Sequence, residues 1–177
     1  VSLTVSAVND VPVAASLAVT TPEDTARAVN LSGTDADGDT LTYRLVSNPT
    51  NGTLSGTAPN LTYRPNANVS GADTFQYTVA DAASTSAVAT VSITITPVND
   101  TPVVTPLALQ VGSNTNVTVE LTGSDADGDA LTFEVVRMPT NGVVSGVMPR
   151  LTYTPALNFS GTDELLFVAR DGTSESA

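Results

Sequence analysis

Val91-Ser92-Ile93-Thr94-Ile95-Thr96 reads apolar, polar, apolar, polar, apolar, polar. A period of two puts one set of side chains on each face of an extended chain, the pattern of a half-buried antiparallel strand. Phe75, Tyr77 and Val79 alternate with Thr74, Gln76 and Thr78 in the same way, and no segment shows helical spacing. Working outward, short apolar runs lie near 14–19, 28–31, 41–46, 53–54, 61–63, 74–79 and 88–95, separated by Gly, Pro, Asn and Asp clusters. Seven strands at that spacing predict an all-β, immunoglobulin-like sandwich. Asn51-Gly52 and Asn141-Gly142 are expected to form tight hairpin turns, since both residues tolerate positive φ.

The pattern occurs twice. Displaced by 90 residues the sequence aligns with itself without a gap, from Val8-Asn9-Asp10 on Val98-Asn99-Asp100 to Ser86-Ala87 on Ser176-Ala177, with about half the positions identical. A repeat of that length is one small autonomous domain rather than a solenoid unit, so the expectation is beads on a string, each with its own core. The boundaries read as 1–9 for the last strand and linker of a preceding repeat, 10–99 for one repeat, and 100–177 for a second that lacks its last strand. The first residue is Val, and no signal peptide is evident, so the chain reads as a piece of something longer.

Composition narrows the chemistry. With 41% hydrophobic and 14% charged residues the chain can bury a core. It contains no Cys, His, Trp or Lys, so thiolate chemistry, disulfides, imidazole catalysis and His-ligated metals lie outside its inventory. A net charge of -12, with six Arg as the only basic side chains, opposes binding to phosphate backbones and anionic membranes. No apolar run approaches the roughly 20 residues that span a bilayer.

The acids are concentrated. Asp35-Ala36-Asp37-Gly38-Asp39 recurs as Asp125-Ala126-Asp127-Gly128-Asp129. An odd number of strands carries the chain from one pole of a bead to the other, with alternate loops sharing a pole. Asp35, Asp37, Asp39 and Asp81 then belong at the entry pole beside Asn9 and Asp10, and Glu23, Asp24 and Asp73 at the exit pole. At the complete junction this would gather Glu23, Asp24 and Asp73 with Asn99, Asp100, Asp125, Asp127, Asp129 and Asp171; Asp163 is the second repeat's counterpart of Asp73. Two carboxylates about 4 Å apart repel by roughly 1 kcal/mol in bulk water and roughly 4 at an effective dielectric of 20. Calcium, which takes about six to eight oxygens in flexible geometry, is the expected partner. The motif is not an EF-hand, because Gly38 is fourth and Val46 stands where a bidentate Glu is needed, so ligands must come from several loops. An acidic turn that only shapes its own loop is the plainer alternative.

The words VNDVP, PEDT, DADGDTLTY, NGTLSG, LTYRPNANVSGADTFQYTVAD and VSITITPVND, in order and largely repeated, resemble the bacterial cadherin-like, immunoglobulin-like tandem repeats of large secreted surface proteins and adhesins. The resemblance covers nearly the whole chain and implies antiparallel β-sandwiches, an extracellular, cell-surface setting and calcium between successive repeats. Some positions depart from it. Glu23-Asp24 become Ser113-Asn114, which puts the site at that pole in doubt; Tyr77 becomes Phe167, losing a hydroxyl expected at the corner before its strand; Asp81-Ala82 lacks the Gly of Asp171-Gly172.

The function read from the sequence is a non-enzymatic, calcium-stiffened extender whose partners are neighbouring repeats of the same polypeptide. Two further readings stay open. Val1, Leu3 and Val5 align with Val91, Ile93 and Ile95, so this spare strand of one molecule is suited to complete the second repeat of the next, giving a head-to-tail filament. A directly ligand-binding adhesin domain is the other, which an aromatic content of 5% disfavours. Tyr43, Tyr63, Phe75, Tyr77, Tyr153 and Phe159 are expected in cores or corners. Paired carboxylates can hydrolyse glycosides, but no aromatic-lined cleft is evident beside these.

Overall fold

The computed structural model describes all 177 residues, which contain strands and no helix. The chain divides into two compact units, Val1–Val98 and Asn99–Ala177.

In the first unit β1 (Val13–Ala14), β2 (Leu17–Pro22), β3 (Arg27–Asn30), β4 (Gly33–Thr34), β5 (Thr42–Ser47), β6 (Gly52–Thr57), β7 (Asn60–Pro65), β8 (Gly71–Ala80) and β9 (Ala89–Thr96) follow in order. One sheet runs β2-β9-β8-β5, a second β3-β7-β6, and β1 and β4 form a short ribbon. The decisive stretch lies in β9, where Ala89, Val91, Ile93 and Ile95 are buried. They meet Phe75, Tyr77 and Val79 of β8 and, from the facing sheet and the residue just after β3, Val29, Leu61, Tyr63 and Leu31 in one core cluster. At about 1.5–3 kcal/mol per fully buried large apolar side chain, this central pair of strands supplies much of the unit's burial energy.

Two expectations are corrected here. The run 14–19 is not one strand: it breaks at Ala15-Ser16, and its second half pairs parallel with β9, Leu17 opposite Val91, in an otherwise antiparallel sheet. Nor is Asn51-Gly52 a tight hairpin; neither residue has positive φ, and the strands on either side of it, β5 and β6, belong to different sheets. The Asn-Gly pair marks a crossing between layers. Gly52 is needed there because a Cβ would stand 2.5 Å from the Tyr63 ring and 2.6 Å from the Arg64 carbonyl oxygen. The tight hairpin is instead β6–β7, closing with Thr57 opposite Asn60.

In the second unit β10 (Val103–Val104), β11 (Val117–Glu120), β12 (Gly123–Ser124), β13 (Thr132–Arg137), β14 (Gly142–Val147), β15 (Arg150–Pro155) and β16 (Leu166–Arg170) form sheets β11-β15-β14, β13-β16 and β10-β12. No strand corresponds to β2, and the positions that would align with β9 lie beyond the given sequence. Residues 107–112, which align with β2, are not in a strand, and β16 has five residues where β8 has ten. The missing half of β16 is the part that in the first unit pairs with β9. Leu121, Leu151, Val168 and Ala169 are the buried apolar residues of this unit.

Candidate functional site

Each unit assembles the same arrangement where its chain enters. In the first, Asp35, Asp37 and Asp39 bring carboxylate oxygens within 4.8 Å of one another. Gly38 adopts φ 77, a left-handed conformation that a side chain would strain, and this turn curls the loop around Asp35. Asp35 Oδ1 accepts from the backbone N–H of Asp37 at 3.0 Å and of Asp39 at 3.2 Å. Asp37 Oδ2 accepts the Asp10 N–H at 2.7 Å, which fixes the incoming chain to the loop. The Asn9 side-chain amide donates to Asp81 Oδ2 at 3.1 Å and to Ser84 Oγ at 3.2 Å.

The second unit repeats the plan. Asp125, Asp127 and Asp129 again lie within 4.8 Å, Gly128 has φ 80, Asp100 N–H donates to Asp127 Oδ2 at 2.7 Å, and Asn99 donates to Asp171 Oδ2 at 2.9 Å and Ser174 Oγ at 3.2 Å.

These acids do different things. Asp81 Oδ1 accepts from Ser84 and Ala83 N–H, and its Oδ2 from Asn9 and the Ser84 hydroxyl, so its lone pairs are already engaged. The Ser84 N–H, with Ala83 and Asn9, outweighs burial and holds its pKa at about 2. In Asp171 the Ser174 N–H and then the Asn99 amide hold the carboxyl well below the usual range. Both are clamps on the linker Asn. The spacing of Asp81 to Ser84 and of Asp171 to Ser174 is the sequence signal for this clamp.

In contrast, Asp35 Oδ2 and Asp125 Oδ2 are buried and have no hydrogen-bond partner. The salt bridges, Arg137–Glu164, Arg170–Glu134 and Arg170–Glu175, involve none of the six triad acids. An ionised oxygen withdrawn from water without a donor is costly unless a cation compensates it. The donor set, all carboxylate and amide oxygen, suits a hard divalent ion such as calcium.

At the other end of the first unit, Glu23 is 3% exposed. Its Oε1 accepts the Val98 N–H at 2.7 Å, and its own N–H donates to the Thr96 carbonyl at 2.9 Å. Asp24, at φ 57, accepts the Asn68 N–H through Oδ1 at 3.2 Å. In the second unit Asn114, at φ 62, exchanges two hydrogen bonds with Asn158, so the local turn survives without the acids.

Asp73 is also at this end, opposite Ile93 and two residues inside the Gly71–Ile95 pair, but it points into the protein. Its Oδ1 accepts from Thr50 N–H and hydroxyl and from Thr74 N–H; its Oδ2 accepts from Asn51 N–H at 2.9 Å and the Tyr63 hydroxyl at 2.7 Å. Burial pushes the Asp73 pKa up, yet the Thr50, Tyr63, Thr74 and Asn51 donors together hold it below the ordinary value. Burial and then the neighbouring Asp73 raise Tyr63. Asp163 makes the same contacts with Thr140, Asn141 and Tyr153. Both are structural anchors of the crossing after β5 or β13.

The Tyr77 hydroxyl does not close the corner before its strand, as expected; it lies 2.5 Å from the Ala15 carbonyl and 2.7 Å from that of Ser32, tying the break between β1 and β2 to the β3–β4 connection.

A family model described as "Bacterial Ig domain" matches residues 9–94 and again 99–177. No curated protein sequence matches. Among solved structures, the human mucin-like protocadherin EC1-2 is 15% identical at a TM-score of 0.53, covering 92% of this chain and 89% of that one. Extracellular cadherin domains 1–5 of protocadherin gamma B2 are 15% identical at 0.53, over 96% of this chain and 38% of that one. An endo-fucoidan hydrolase of glycoside hydrolase family 107 is 24% identical at 0.41; this chain covers 94% of itself and spans 27% of that length.

Proposed function

Because the chain belongs to the bacterial Ig domain family, we propose that its two cadherin-like units are extender repeats of a large secreted surface protein or adhesin, stiffened by calcium. The observation that carries this reading is the pair of buried, unpartnered oxygens of Asp35 and Asp125, each inside a carboxylate triad that no Arg neutralises. In each unit the three acids of the triad would hold the ion, joined by the oxygens of Asn9 and Asp10 or of Asn99 and Asp100. Asp81 and Asp171 position the Asn, while Asp73 and Asp163 serve the fold.

Continuity of the chain supplies the stiffening. Glu23 is bonded to Val98, and the next residue, Asn99, is bonded to Asp171. A cation held by the Asp125–Asp129 loop with Asn99 and Asp100 would fix the start of the second unit to its own entry loop, directly after the residue that Glu23 holds. Its removal would restore carboxylate repulsion and rotational freedom. Ser113-Asn114 predict a weaker joint at the far end of the second unit. The units act mechanically rather than catalytically in this reading, and their partners are adjoining repeats.

Small-angle X-ray scattering in calcium, then in excess chelator, tests it. The expected result is a fixed particle shape with calcium, a broader ensemble without it, and Asp125→Asn, Asp127→Asn and Asp129→Asn together behaving like the chelated protein. Profiles indifferent to calcium, with no heat of calcium binding, would leave the triads as acidic turns.

A further inference from the structure

The strand that follows each crossing lies at an open sheet edge. β14 is the outer strand of β11-β15-β14, as β6 is of β3-β7-β6. The two hairpins share one register: Gly142 is opposite Pro155 and Val147 opposite Arg150, as Gly52 is opposite Pro65 and Thr57 opposite Asn60. Gly146 has φ 117 and Gly56 has φ 95, so the bend of the strand is common to both edges. Their solvent-facing side chains differ. β6 presents Thr53, Ser55 and Thr57, whereas β14 presents Val143, Ser145 and Val147, with Val143 66% and Val147 84% exposed.

The ladder shows which backbone groups face outward. The Ala156 N–H donates to the Asn141 carbonyl at 2.8 Å, so the next pair, Gly142 with Pro155, is the kind that exchanges no hydrogen bonds, in keeping with a proline that has no N–H. Alternation from there turns the N–H and C=O groups of Val143, Ser145 and Val147 toward β15, and those of Gly142, Val144 and Gly146 toward the open edge. A row of this kind beside exposed valines is a template for another strand.

The edge is also neutral. Residues 138–149 carry no charged side chain in a chain of net charge -12, and the residues that bracket them are Arg137 and Arg150. Arg137 is paired with Glu164, and Arg150 lies opposite Glu120 on the side of β15 away from β14. Another copy of this acidic chain can therefore approach β14 without setting carboxylate against carboxylate along the strand.

We propose that β14 pairs antiparallel with β14 of a second copy, joining two three-stranded sheets into one of six strands. A two-fold axis at Ser145 gives the register. Val144 and Gly146 of one copy exchange backbone hydrogen bonds with Gly146 and Val144 of the other, Val143 faces Val147, and Ser145 faces its own equivalent. Both valine pairs then fall at positions that exchange no hydrogen bonds, where facing side chains are closest. The strand is its own complement in this sense, which is why a second copy is the partner. At about 4.8 Å per strand the two β15 strands are about 14 Å apart, beyond the Debye length of about 8 Å at physiological salt, so the charges of Arg150 and Glu120 are screened across the seam. The contact is two-fold and closes at a dimer. On an extended repeat protein it would hold two chains side by side. The inference does not rest on the calcium reading, and its test is run in chelator at physiological salt.

Sedimentation velocity over a concentration series should show monomer passing to dimer and no further. Val143→Thr with Val147→Thr installs the residues that the first unit carries at the same register, and should leave the protein monomeric. Thr53→Val with Thr57→Val gives β6 the same edge and should let dimers grow into longer assemblies. The chain has no Cys, so a single introduced thiol reports the register independently. Facing Cα atoms at a pair without hydrogen bonds lie about 4.5 Å apart, within reach of a disulfide. Under mild oxidation Ser145→Cys should link into a dimer much faster than Ser55→Cys on β6. Val143→Cys should not link to itself but should link to Val147→Cys when the two are mixed. A protein that is monomeric throughout, with Ser145→Cys linking no faster than Ser55→Cys, overturns the proposal. So does a dimer that survives the two threonines, or self-linking of Val143→Cys as fast as that of Ser145→Cys.

Discussion

Asp73 shows how one acid can look like a ligand and be an anchor. A carboxylate offers about four lone-pair directions, and Thr50, Asn51, Tyr63 and Thr74 occupy them. Asp73→Asn replaces one acceptor oxygen by a carboxamide NH2 group that faces donors, which should destabilise the first unit by about 2–4 kcal/mol near neutral pH. The sign with pH follows from the lowered pKa of Asp73. A group that ionises more easily folded than unfolded adds stability above its unfolded pKa and loses it as pH falls through the folded value. The gap between the two proteins in urea titrations should hence be widest above about pH 4 and narrow steadily below it. A gap constant from pH 7 to pH 2 would show that the charge does not matter. Gly52→Ala tests a steric neighbour of the same anchor: a Cβ at 2.5 Å from the Tyr63 ring and 2.6 Å from the Arg64 carbonyl oxygen cannot be accommodated without backbone movement. A loss of about 1–3 kcal/mol is expected, and an unchanged urea midpoint would refute it.

At the level of strands, the seven apolar runs reached eight of the nine elements of the first unit, merging β1 with β2 and missing β4, because a two-residue period belongs to the sequence itself. Where a strand breaks depends on partners far along the chain. Ala14 to Val19 carries no signal at Ala15-Ser16, yet the chain changes sheet there because Tyr77, more than 60 residues away, bonds the Ala15 carbonyl. The turning inward of Asp73 was hidden for the same reason: sequence placed this acid at a pole, but only tertiary packing decides which way its carboxylate points. Asn51-Gly52 has a local turn preference that the crossing between layers overrides. Tyr77→Phe tests this long-range control. It should cost about 1 kcal/mol and speed amide exchange at Ala15, whose N–H donates to Ser32 at 3.0 Å. The second unit, with Phe167 at that position, should exchange at the equivalent Thr105 N–H faster than the first unit does at Ala15. Equal protection of all three would mean that the hydroxyl only fills space.

Across the whole chain the two units share a plan but differ in how many apolar residues they bury. The first buries eleven apolar residues, the second four, so denaturant should unfold the second unit first, in a separate transition. Each unit also has its own triad, and a ligand that binds only the folded form stabilises it by RT ln(1 + [L]/Kd), about 2.7 kcal/mol at a hundredfold excess over Kd. Calcium should raise both transitions. Asp35→Asn, Asp37→Asn and Asp39→Asn together should abolish the shift of the first transition and leave that of the second; Asp125→Asn, Asp127→Asn and Asp129→Asn should do the reverse. Changing the triads also relieves repulsion, so each triple variant should be as stable as the parent, or more so, in chelator, and weaker only when calcium is present. That crossover separates loss of a cation site from damage to the loop, since a damaged loop would be weaker in both conditions. If calcium raised neither transition in the parent, the triads would be acidic turns that only shape their own loops, and the buried oxygens of Asp35 and Asp125 would carry no cation.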